Sequence, residues 1–447
     1  MKIKVISRNP DEYVRETKQD INKIQRNFDP SLHQFTASRE YVRALNATKL
    51  ERVFAKPFVG SLDGHGDGVT AMISSPVGLS KVLSAAYNGE IIMWDLPTRK
   101  AIAKVTGHHG WVRGLCYHPS GEYFFSCGDD QVIRQWRSEV DSYEGFTTEP
   151  TRSIISKSIL YGMDHHYKDN VFATCGQDTH IWDEHRNEPV KHFQWGVDSV
   201  QSIKFNPIEH NLLAACASDR SVILYDTRES QPMRKVVLKF RSNSLSWNPM
   251  EAYHFVVANE DYNAYTFDFR NLSAPLTLHR GHVSAVLDVD YSPTGKEFVT
   301  GGFDRTIRIF DQEQKFSKEV YHTKRMQLVK CVRWSKDNKY ILSGSDETNI
   351  RVWKSRPAEK IGVVHPRMKH ALNYGETLKE RFEEYPQIKR IAKHRHVPYR
   401  IFRQQIELKT IMKSQSRKER NKAANAKRGH KVEIKKAIDK VVLREDE

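Results

Sequence analysis

The feature that most constrains the fold is a repeat through the middle of the chain. Seven short segments of alternating apolar residues end in an aromatic residue, at intervals of 42, 46, 43, 42, 43 and 43 residues. An Asn or Asp lies six residues before most of these aromatics, where a tight turn would join two strands. One small sheet cannot bury both its faces, so equal units in series are expected to stack on one another. The seven aromatic residues are Trp94, Trp136, Trp182, Tyr225, Phe267, Phe310 and Trp353.

A Gly-His pair precedes three of the repeats, at Gly64-His65, Gly107-His108 and Gly281-His282, and a valine follows each histidine by four residues. Together with the period and the terminal aromatic, this pattern resembles the WD40 repeat over roughly residues 57 to 354. The resemblance implies an all-β, seven-bladed propeller in which each blade is a four-stranded sheet.

Ring closure has two candidate strands. In WD40 propellers a strand from before the first repeat pairs with the last blade and closes the ring. We expect residues 57–62 ("PFVGSL") to do so here, with residues 360–364 ("KIGVV") as the rival.

Two repeats depart from the pattern. The third lacks the Gly-His pair, and its Asp178 lies only four residues before Trp182, so we expect the most irregular blade there. The sixth keeps His282 and Thr300, but Phe310 has no N–H to donate, so its polar network should be incomplete.

Four polar residues of the second repeat, His108, Ser126, Asp130 and Trp136, invite a catalytic interpretation, because Ser, His and Asp form the triad of many hydrolases. The WD40 resemblance instead implies a buried, hydrogen-bonded tetrad at these positions. Such a network stabilises a blade when every member is satisfied. We favour the structural interpretation.

Other motifs of catalysis or ligand binding are not found. The histidine groups at 108–109, 164–166 and 394–396 do not follow metal-ligand spacings such as HExxH. The stretch "GSLDGHGDG" is neither a dinucleotide-binding nor a phosphate-binding loop. We expect no enzymatic activity, no metal, no cofactor and no small-molecule substrate.

Cysteine content and hydropathy indicate the compartment. The five cysteines are widely spaced without a CxxC pair, so neither a disulfide framework nor a zinc site is expected. The first residues lack the apolar core of a signal peptide, and no run approaches the ~18 apolar residues of a membrane span. These patterns predict an intracellular, soluble protein.

The charge distribution sets the last fifth of the chain apart. Residues 367–447 carry 23 Lys and Arg against 11 Asp and Glu, whereas residues 1–366 carry 48 against 44. Such asymmetry indicates a polyanionic partner, either nucleic acid or an anionic membrane. With the limits of the repeat, it predicts three sections: an N-terminal arm at 1–56, the propeller at 57–365 and a basic helical extension at 366–447.

The arm is predicted to contain one helix, with Ser38 as its N-cap and with Val42, Leu45, Lys49 and Val53 spaced at about one helical turn. Two placements remain open. The arm could lie across the surfaces of other molecules, or its helix could pack on its own propeller.

The extension is predicted to be helical. Its first helix should present one apolar face, and a long helix should run from Pro398 to about Arg428. Near the end, Ile434, Ile438 and Val441 have the spacing of a further apolar stripe. The face predicted for the first helix consists of Tyr374, Leu378, Phe382 and Tyr385.

Within the extension, residues 385–436 carry 17 Lys and Arg against three acids. Contact with phosphates would release counterions and favour binding strongly, and arginines beside Tyr399 and Phe402 could stack on unpaired bases. A nuclear-targeting signal or a solvated tail is the alternative; a membrane is disfavoured because the apolar face is interrupted. The RNA-binding candidates are Lys389, Arg390, Lys393, Arg395, Arg400 and Arg403.

Three segments, at 1–33, 44–58 and 371–399, resemble the Sof-type WD-repeat proteins together with the propeller. Members of that family are nucleolar components of the small-subunit processome that associate with U3 small nucleolar RNA and pre-rRNA. The resemblance implies a non-catalytic scaffold in pre-rRNA processing and small-subunit maturation. It also implies a nuclear and nucleolar location and other processome proteins as partners.

Two adjacent repeats favour a second interpretation. "YDTR" contains Asp226 and Arg228, and "FDFR" contains Asp268 and Arg270. This pattern resembles the box that docks WD40 substrate receptors onto the adaptor of cullin-4 ubiquitin ligases, and Sof-type relatives include proteins named as such receptors. The alternative is that each arginine pairs with a neighbouring turn of its own propeller.

Overall fold

The computed structural model describes residues 35–138, 149–196, 198–426 and 434–446. The opening segment of the predicted arm and the end of the predicted long helix lie outside these residues. The chain forms two compact units, which do not follow the three predicted sections. The first, which we call the helical unit, comprises Met1–Val53 with Gly362–Ala392. The second, which we call the propeller unit, comprises Phe54–Ile361 with Lys393–Glu447.

The described residues contain four helices and 29 strands. The helices are α1 (Thr36–Val53), α2 (Pro366–Arg381), α3 (Pro386–Lys393) and α4 (Tyr399–Ala424). The strands are β1 (Phe58–Leu62), β2 (Val69–Ser74), β3 (Lys81–Ala86), β4 (Glu90–Asp95), β5 (Lys100–Thr106), β6 (Val112–Tyr117), β7 (Tyr123–Gly128), β8 (Val132–Arg137), β9 (Arg152–Ile155), β10 (Gly162–His165), β11 (Val171–Cys175), β12 (Thr179–Asp183), β13 (Pro189–Phe193), β14 (Val200–Phe205), β15 (Leu212–Ala217), β16 (Ser221–Asp226), β17 (Arg234–Leu238), β18 (Ser242–Trp247), β19 (His254–Asn259), β20 (Asn263–Asp268), β21 (Thr277–Arg280), β22 (Val286–Tyr291), β23 (Glu297–Gly302), β24 (Ile307–Asp311), β25 (Glu319–Tyr321), β26 (Val329–Trp334), β27 (Tyr340–Ser345), β28 (Ile350–Lys354) and β29 (Val442–Asp446).

In the described residues the strands pair into seven antiparallel sheets, which confirms the predicted seven-bladed propeller. Blade one is β2–β5, blade two β6–β9, blade three β10–β13, blade four β14–β17 with β29, blade five β18–β21, blade six β22–β25, and blade seven β26–β28 with β1. Inner strands such as β3 and β19 are buried along almost their whole length. Stacking of neighbouring blades covers both faces of each sheet, so the sequences of these strands consist mainly of apolar and small residues.

Strand β1 closes the ring. It pairs antiparallel with β28, with Leu62 opposite Ile350. A hydrophobic cluster joins Leu62 to Val69 of blade one and Leu342 of blade seven. The prediction that residues 57–62 close the ring is therefore confirmed, and residues 360–364 form no strand.

Helix α1 starts earlier than the sequence predicts. It begins at Thr36, and Ser38 is inside its first turn rather than at the N-cap. The Ser38 hydroxyl donates a hydrogen bond to the carbonyl oxygen of Phe35 at 3.0 Å, so it satisfies a preceding carbonyl and no N–H of the helix.

The helix that the spacing of Val42, Leu45, Lys49 and Val53 predicts is confirmed. Of these four residues Leu45 packs against the buried side of the helix, whereas Val42 and Val53 are exposed. The buried positions include Ala44 and Thr48. The small Ala44 side chain lets α2 approach, which helical spacing alone does not reveal. Neither predicted placement of the helix included α2 as its partner. The buried cluster that joins α1, α2 and α3 consists of Ala44, Leu378, Phe382 and Ile388.

The last described segment is a strand, which corrects the predicted helical stripe. Strand β29 pairs antiparallel with β17, the outer strand of blade four. Val441 is 7% exposed and packs into the core shared by blades four and five. The β-branched pair Val441-Val442 favours a strand, and the open edge of β17 offers one a partner.

Helix α4 spans 26 residues, about 39 Å at the rise of an α-helix. Among the described residues, no helix combines the length and apolar character that crossing a membrane requires.

Candidate RNA and protein interfaces

The six predicted RNA-binding cations are divided between the two units. Lys389 and Arg390 lie on α3 in the helical unit, and both are exposed. Lys393, Arg400 and Arg403 belong to the propeller unit and are also exposed. The structure therefore leaves these five side chains accessible to a polyanion.

Arg395 differs from the other five. Its Nε lies 2.7 Å from Glu319 Oε2, and the two side chains are only 14% and 8% exposed. The same Nε donates to the carbonyl oxygen of Lys318 at 2.7 Å. Glu319 belongs to β25, so this arginine fastens the chain before α4 to blade six. A guanidinium engaged in this way is a poor candidate for neutralising phosphates.

Two further contacts hold the first turns of α4 against the propeller. Ile401 is buried, and Gln405 Nε2 donates to the carbonyl oxygen of Gly281 at 3.0 Å. Before the helix, the rings of His396 and His322 lie 5.5 Å apart between centroids. The start of α4 is thus fixed by the Arg395–Glu319 ion pair, the buried Ile401 side chain and the hydrogen bonds from Arg395 and Gln405.

Beyond these contacts α4 presents a basic surface. The helix carries eight basic and two acidic side chains, and one of the acids, Glu419, pairs with Lys440 at 2.7 Å. The basic side chains are all exposed. Four of them follow the spacing i, i+4, i+8 and i+11, which places them along one face. We call these four the basic ridge: Lys409, Lys413, Arg417 and Arg420.

The two boxes that resemble ligase-docking motifs have matching local geometry. In blade four, Asp226 Oδ1 accepts from the N–H of Arg228 at 2.9 Å. In blade five, Asp268 Oδ1 accepts from the N–H of Arg270 at 3.0 Å. Each arginine follows the third strand of its blade and is exposed. The structure brings the two boxes to adjacent blades at the same edge of the propeller.

The arginine side chains are held by different partners. The Arg270 guanidinium forms an ion pair with Asp268 at 2.7 Å and covers the ring of Tyr253 at 4.1 Å. Hydrogen bonds from Arg270 hold the pKa of Asp268 below its ordinary value. With the Asn211 amide oxygen turned toward Arg228, that oxygen lies 2.6 Å from Nη2. Both guanidinium groups are thus oriented by side chains of their own blades.

A cavity of about 260 Å³ between blades four and five was not anticipated from the sequence. Arg234 stands at its rim, donates to the carbonyl oxygen of Arg270 at 3.3 Å and lies 3.9 Å from Glu445 of β29. No signal in the sequence connects the C-terminal strand to this cavity. The cavity is lined by Leu212, Leu224, Met233, Arg234, Trp247, Phe269 and Arg270.

The four polar residues of blade two form one hydrogen-bonded chain. Trp136 Nε1 donates to Ser126 Oγ at 2.8 Å, and that oxygen lies 2.6 Å from His108 Nε2. His108 Nδ1 lies 2.9 Å from Asp130. Burial alone would raise the pKa of Asp130, but the hydrogen bond from His108 holds it below its ordinary value. Trp136 and Ser126 are fully buried, and the arrangement has the satisfied form expected of a structural network.

Blade one has the same chain without the aspartate. His65 Nε2 lies 2.6 Å from Ser84 Oγ, which accepts from Trp94 Nε1 at 2.7 Å. Asn88 stands where blade two has its aspartate, and His65 Nδ1 is buried without a hydrogen-bond partner, 4.0 Å from the carboxylate of Glu90. Burial lowers the pKa of His65 from 6.5 to about 4. Blade one therefore contains one buried nitrogen, His65 Nδ1, whose hydrogen-bonding capacity is not satisfied.

Blade six has the acid but not the tryptophan. His282 Nε2 lies 2.7 Å from Thr300 Oγ1, and Nδ1 lies 3.0 Å from Asp304. Phe310 fills the position of the tryptophan and donates nothing, in line with the incomplete network that the sequence predicts.

Two family models match this chain. A model described as "Sof1-like domain" matches residues 355–442, and one described as "WD domain, G-beta repeat" matches 56–95, 99–137, 273–311 and 317–354. The matched repeats correspond to blades one, two, six and seven.

Full-length relatives are similar along nearly the whole chain. "DDB1- and CUL4-associated factor 13" of Danio rerio is 55% identical over 96% of each chain, and the Homo sapiens protein of that name is 54% identical over the same shares. "Protein SOF1" of Saccharomyces cerevisiae is 44% identical over 94% of this chain and 92% of its own.

A solved structure with the same fold is the WD40 β-propeller domain of Doa1. It has a TM-score of 0.57 at 20% identity and covers 67% of this chain and 96% of its own. At this identity the likeness shows the fold alone.

Proposed function

The chain belongs to the family of WD-repeat proteins with a Sof1-like domain, and we propose that it is a non-catalytic scaffold of the small-subunit processome. In this role it acts in pre-rRNA processing and in maturation of the small ribosomal subunit, in the nucleus and nucleolus. The propeller faces bind other processome proteins. The basic extension contacts pre-rRNA or U3 small nucleolar RNA.

The observation that carries the proposal is the basic surface of α4. The start of this helix is fixed to blade six through Arg395 and Glu319, while its eight basic side chains remain exposed. A polyanion that covers them releases condensed counterions, and a positively charged helix held in one place binds without the cost of ordering a free tail.

Exposed aromatic side chains favour RNA with unpaired bases over a duplex. Tyr399 is 75% exposed and Phe402 is 52% exposed, and each adjoins an arginine of the same helix, Arg400 or Arg403. Aromatic rings and guanidinium planes stack on splayed bases, which a closed duplex does not offer.

The test in cells uses a variant in which the five exposed candidate cations become glutamate and Arg395 is kept. Loss of co-sedimentation with pre-ribosomes is expected, because reversed charges repel phosphates. A control variant places the same five charge reversals on exposed propeller residues and should sediment normally. The test substitutions are at Lys389, Arg390, Lys393, Arg400 and Arg403, and the control substitutions at Lys100, Lys157, Lys168, Arg186 and Lys315.

Nuclear targeting is the rival role of these cations, and an added localisation signal separates the two. If the cations serve targeting alone, a heterologous nuclear signal fused to the glutamate variant restores pre-ribosome association. If they contact RNA, the fused variant enters the nucleus but still fails to sediment with the particle. Crosslinking of the native particle then identifies which nucleotides of pre-rRNA or U3 RNA are touched.

A second candidate function is that of a substrate receptor of a cullin-4 ubiquitin ligase. It is favoured by the matching exposed arginines of blades four and five and by relatives named "DDB1- and CUL4-associated factor 13". Replacement of Arg228 and Arg270 by alanine should remove co-purification of the ligase adaptor and spare RNA association. Retention of the adaptor by this double variant would refute the docking role.

A further inference from the structure

Three potential metal ligands from blades two and three converge at one edge of the propeller. His118 follows β6, His165 ends β10, and Glu184 follows β12. Their donor atoms, two imidazole nitrogens and one carboxylate oxygen, lie within 4.8 Å of one another. The three residues are far apart in sequence, so no metal-ligand spacing motif predicts the cluster.

The cluster is shielded from solvent. The side chains of His165, Glu184 and His118 are 3%, 10% and 17% exposed. His165 Nε2 lies 2.8 Å from Glu184 Oε1, and His118 Nε2 lies 3.6 Å from the same oxygen. Polar groups this buried need a partner for each lone pair and each N–H.

The hydrogen bonds around His165 leave two acceptor atoms, its own Nε2 and a Glu184 oxygen, facing each other. Its Nδ1 lies 2.6 Å from the carbonyl oxygen of His166. A carbonyl oxygen only accepts, so Nδ1 carries the proton. In the neutral ring Nε2 then presents a lone pair to the Glu184 carboxylate, which is also an acceptor. Either a proton shared by the imidazole and the carboxyl group or a metal ion must therefore lie between these two acceptors.

The surroundings of His165 match those of a metal-binding histidine. A ligating imidazole commonly donates its other N–H to a carbonyl or hydroxyl oxygen, which fixes the ring. His165 has the carbonyl of His166 for this purpose. His118 Nδ1 instead accepts from the N–H of Ser120 at 3.1 Å, so the neutral ring carries its proton on Nε2. Ligation through Nε2 would move that proton to Nδ1, where Ser120 Oγ lies 2.7 Å away to accept it. Asn170 Oδ1 lies 3.3 Å from His118 Nε2 and supplies a further oxygen at the cluster.

We propose that His118, His165 and Glu184 bind a divalent transition-metal ion of the zinc class, with Asn170 or a water as the fourth ligand. Zinc takes nitrogen and oxygen ligands at about 2.0–2.2 Å, so the donors of a tetrahedral site lie about 3.3 Å apart. The separations of 2.8 and 3.6 Å lie on either side of this value. The remaining pair of donors, on the two histidines, lies within 4.8 Å, so the ligand side chains must move closer together to admit the ion.

The ion would join two blades. His118 belongs to blade two, and the other two ligands belong to blade three, which lacks the Gly-His pair and opens with the four-residue strand β10. A metal bridge would stabilise a blade that keeps the hydrogen bond from Trp182 to Thr174 but lacks the histidine of the Gly-His pair. This inference stands apart from the proposed RNA contact, because none of the three ligands lies in the basic extension.

The test is zinc uptake by the full-length, tag-free chain after removal of metal with a chelator. Equilibrium dialysis against Zn²⁺ in a neutral buffer, followed by elemental analysis, should give one ion per chain. Glu184→Gln and His118→Ala should each weaken binding by roughly tenfold or more. Added Zn²⁺ should raise the Tm of the unaltered chain but not that of Glu184→Gln.

A matched control comes from the other close histidine pair of blade three. His180 and His192 stack with ring centroids 4.7 Å apart, and His180→Ala should leave zinc binding unchanged. Circular dichroism of each variant shows that it is folded. Absence of stoichiometric zinc from the folded, unaltered chain would overturn the proposal and leave a protonated His165–Glu184 pair as the occupant. Equal binding by Glu184→Gln would also overturn it.

Discussion

Arg395 Nε lies 2.7 Å from Glu319 Oε2, and this ion pair fixes the start of the basic helix α4 to the fourth strand of blade six. Both side chains are largely buried. The sequence pattern predicts that Arg395 binds RNA, but in the structure its partner is Glu319. Arg395 therefore holds the helix in place, whereas the other five predicted cations face solvent.

Removal of this pair should release the helix without unfolding the propeller. Arg395→Ala takes away the positive charge that faces the buried Glu319 carboxylate, which costs roughly 3 kcal/mol of local stability. Hydrogen exchange should become faster over residues 394–405, with little change in blades one to five. Arg400→Ala, at an exposed position on the same helix, is the control and should leave exchange rates unchanged. Unaltered protection in Arg395→Ala would show that the ion pair does not hold α4.

A reciprocal exchange between blades one and two tests the unsatisfied nitrogen of His65. Asn88→Asp gives His65 Nδ1 the carboxylate that Asp130 gives His108, and should stabilise the protein by about 1–3 kcal/mol. Asp130→Asn should destabilise it by a similar amount. Urea denaturation of both variants measures the two effects. Shifts of the same sign in both would contradict the account.

Stability should decline in mild acid because of two buried histidines. Burial lowers the pKa of His65 and of His279 from 6.5 to about 4. Between these values the unfolded chain binds protons that the folded chain does not. The free energy of unfolding therefore falls as pH drops from about 6.5 toward 4, by up to about 3 kcal/mol per histidine.

The variant His279→Gln isolates one of these contributions. Glutamine can still donate to the carbonyl oxygen of Gln314 and accept from Thr266, the two partners of His279. Urea midpoints measured from about pH 7.5 to about pH 4.5 should fall less steeply than in the unaltered chain. An identical slope would show that His279 does not contribute to acid sensitivity.

The C-terminal strand should contribute to the stability of blade four. Val441→Asp places a charge in the core shared by blades four and five and should cost about 2–4 kcal/mol. Leu443→Asp changes a neighbouring residue that is 59% exposed, and its effect should stay within about 0.5 kcal/mol. Thermal unfolding and limited proteolysis of the C-terminus compare the two. Equal effects would mean that β29 is not docked as described.

The propeller could be predicted because its repeat imposes one period on seven units. The turn residues and the terminal aromatics recur in register, and Leu62 opposite Ile350 closes the ring as WD40 resemblance implies. The incomplete network of blade six also followed from one residue, because Phe310 lacks the N–H that Trp136 donates in blade two.

The features that the sequence did not predict have one physical cause. Each depends on contacts between residues that are far apart in the chain. Val441 has helical spacing with its neighbours, but the free edge of β17 turns the segment into a strand. Arg395 looks like any other cation until Glu319 lies beside it. His118, His165 and Glu184 come together only through the curvature of two blades.

The central claim, that the exposed cations of the extension bind RNA, is tested most directly by the salt dependence of binding. Fluorescence anisotropy with a single-stranded RNA gives the slope of log K against log salt for the unaltered chain, the five-glutamate variant and the matched propeller control. Each phosphate that is no longer neutralised on a single strand should make the slope shallower by about 0.7, so the slope of the variant should be shallower by up to about 3.5 and that of the control unchanged. Equal slopes and affinities in all three proteins would contradict the claim.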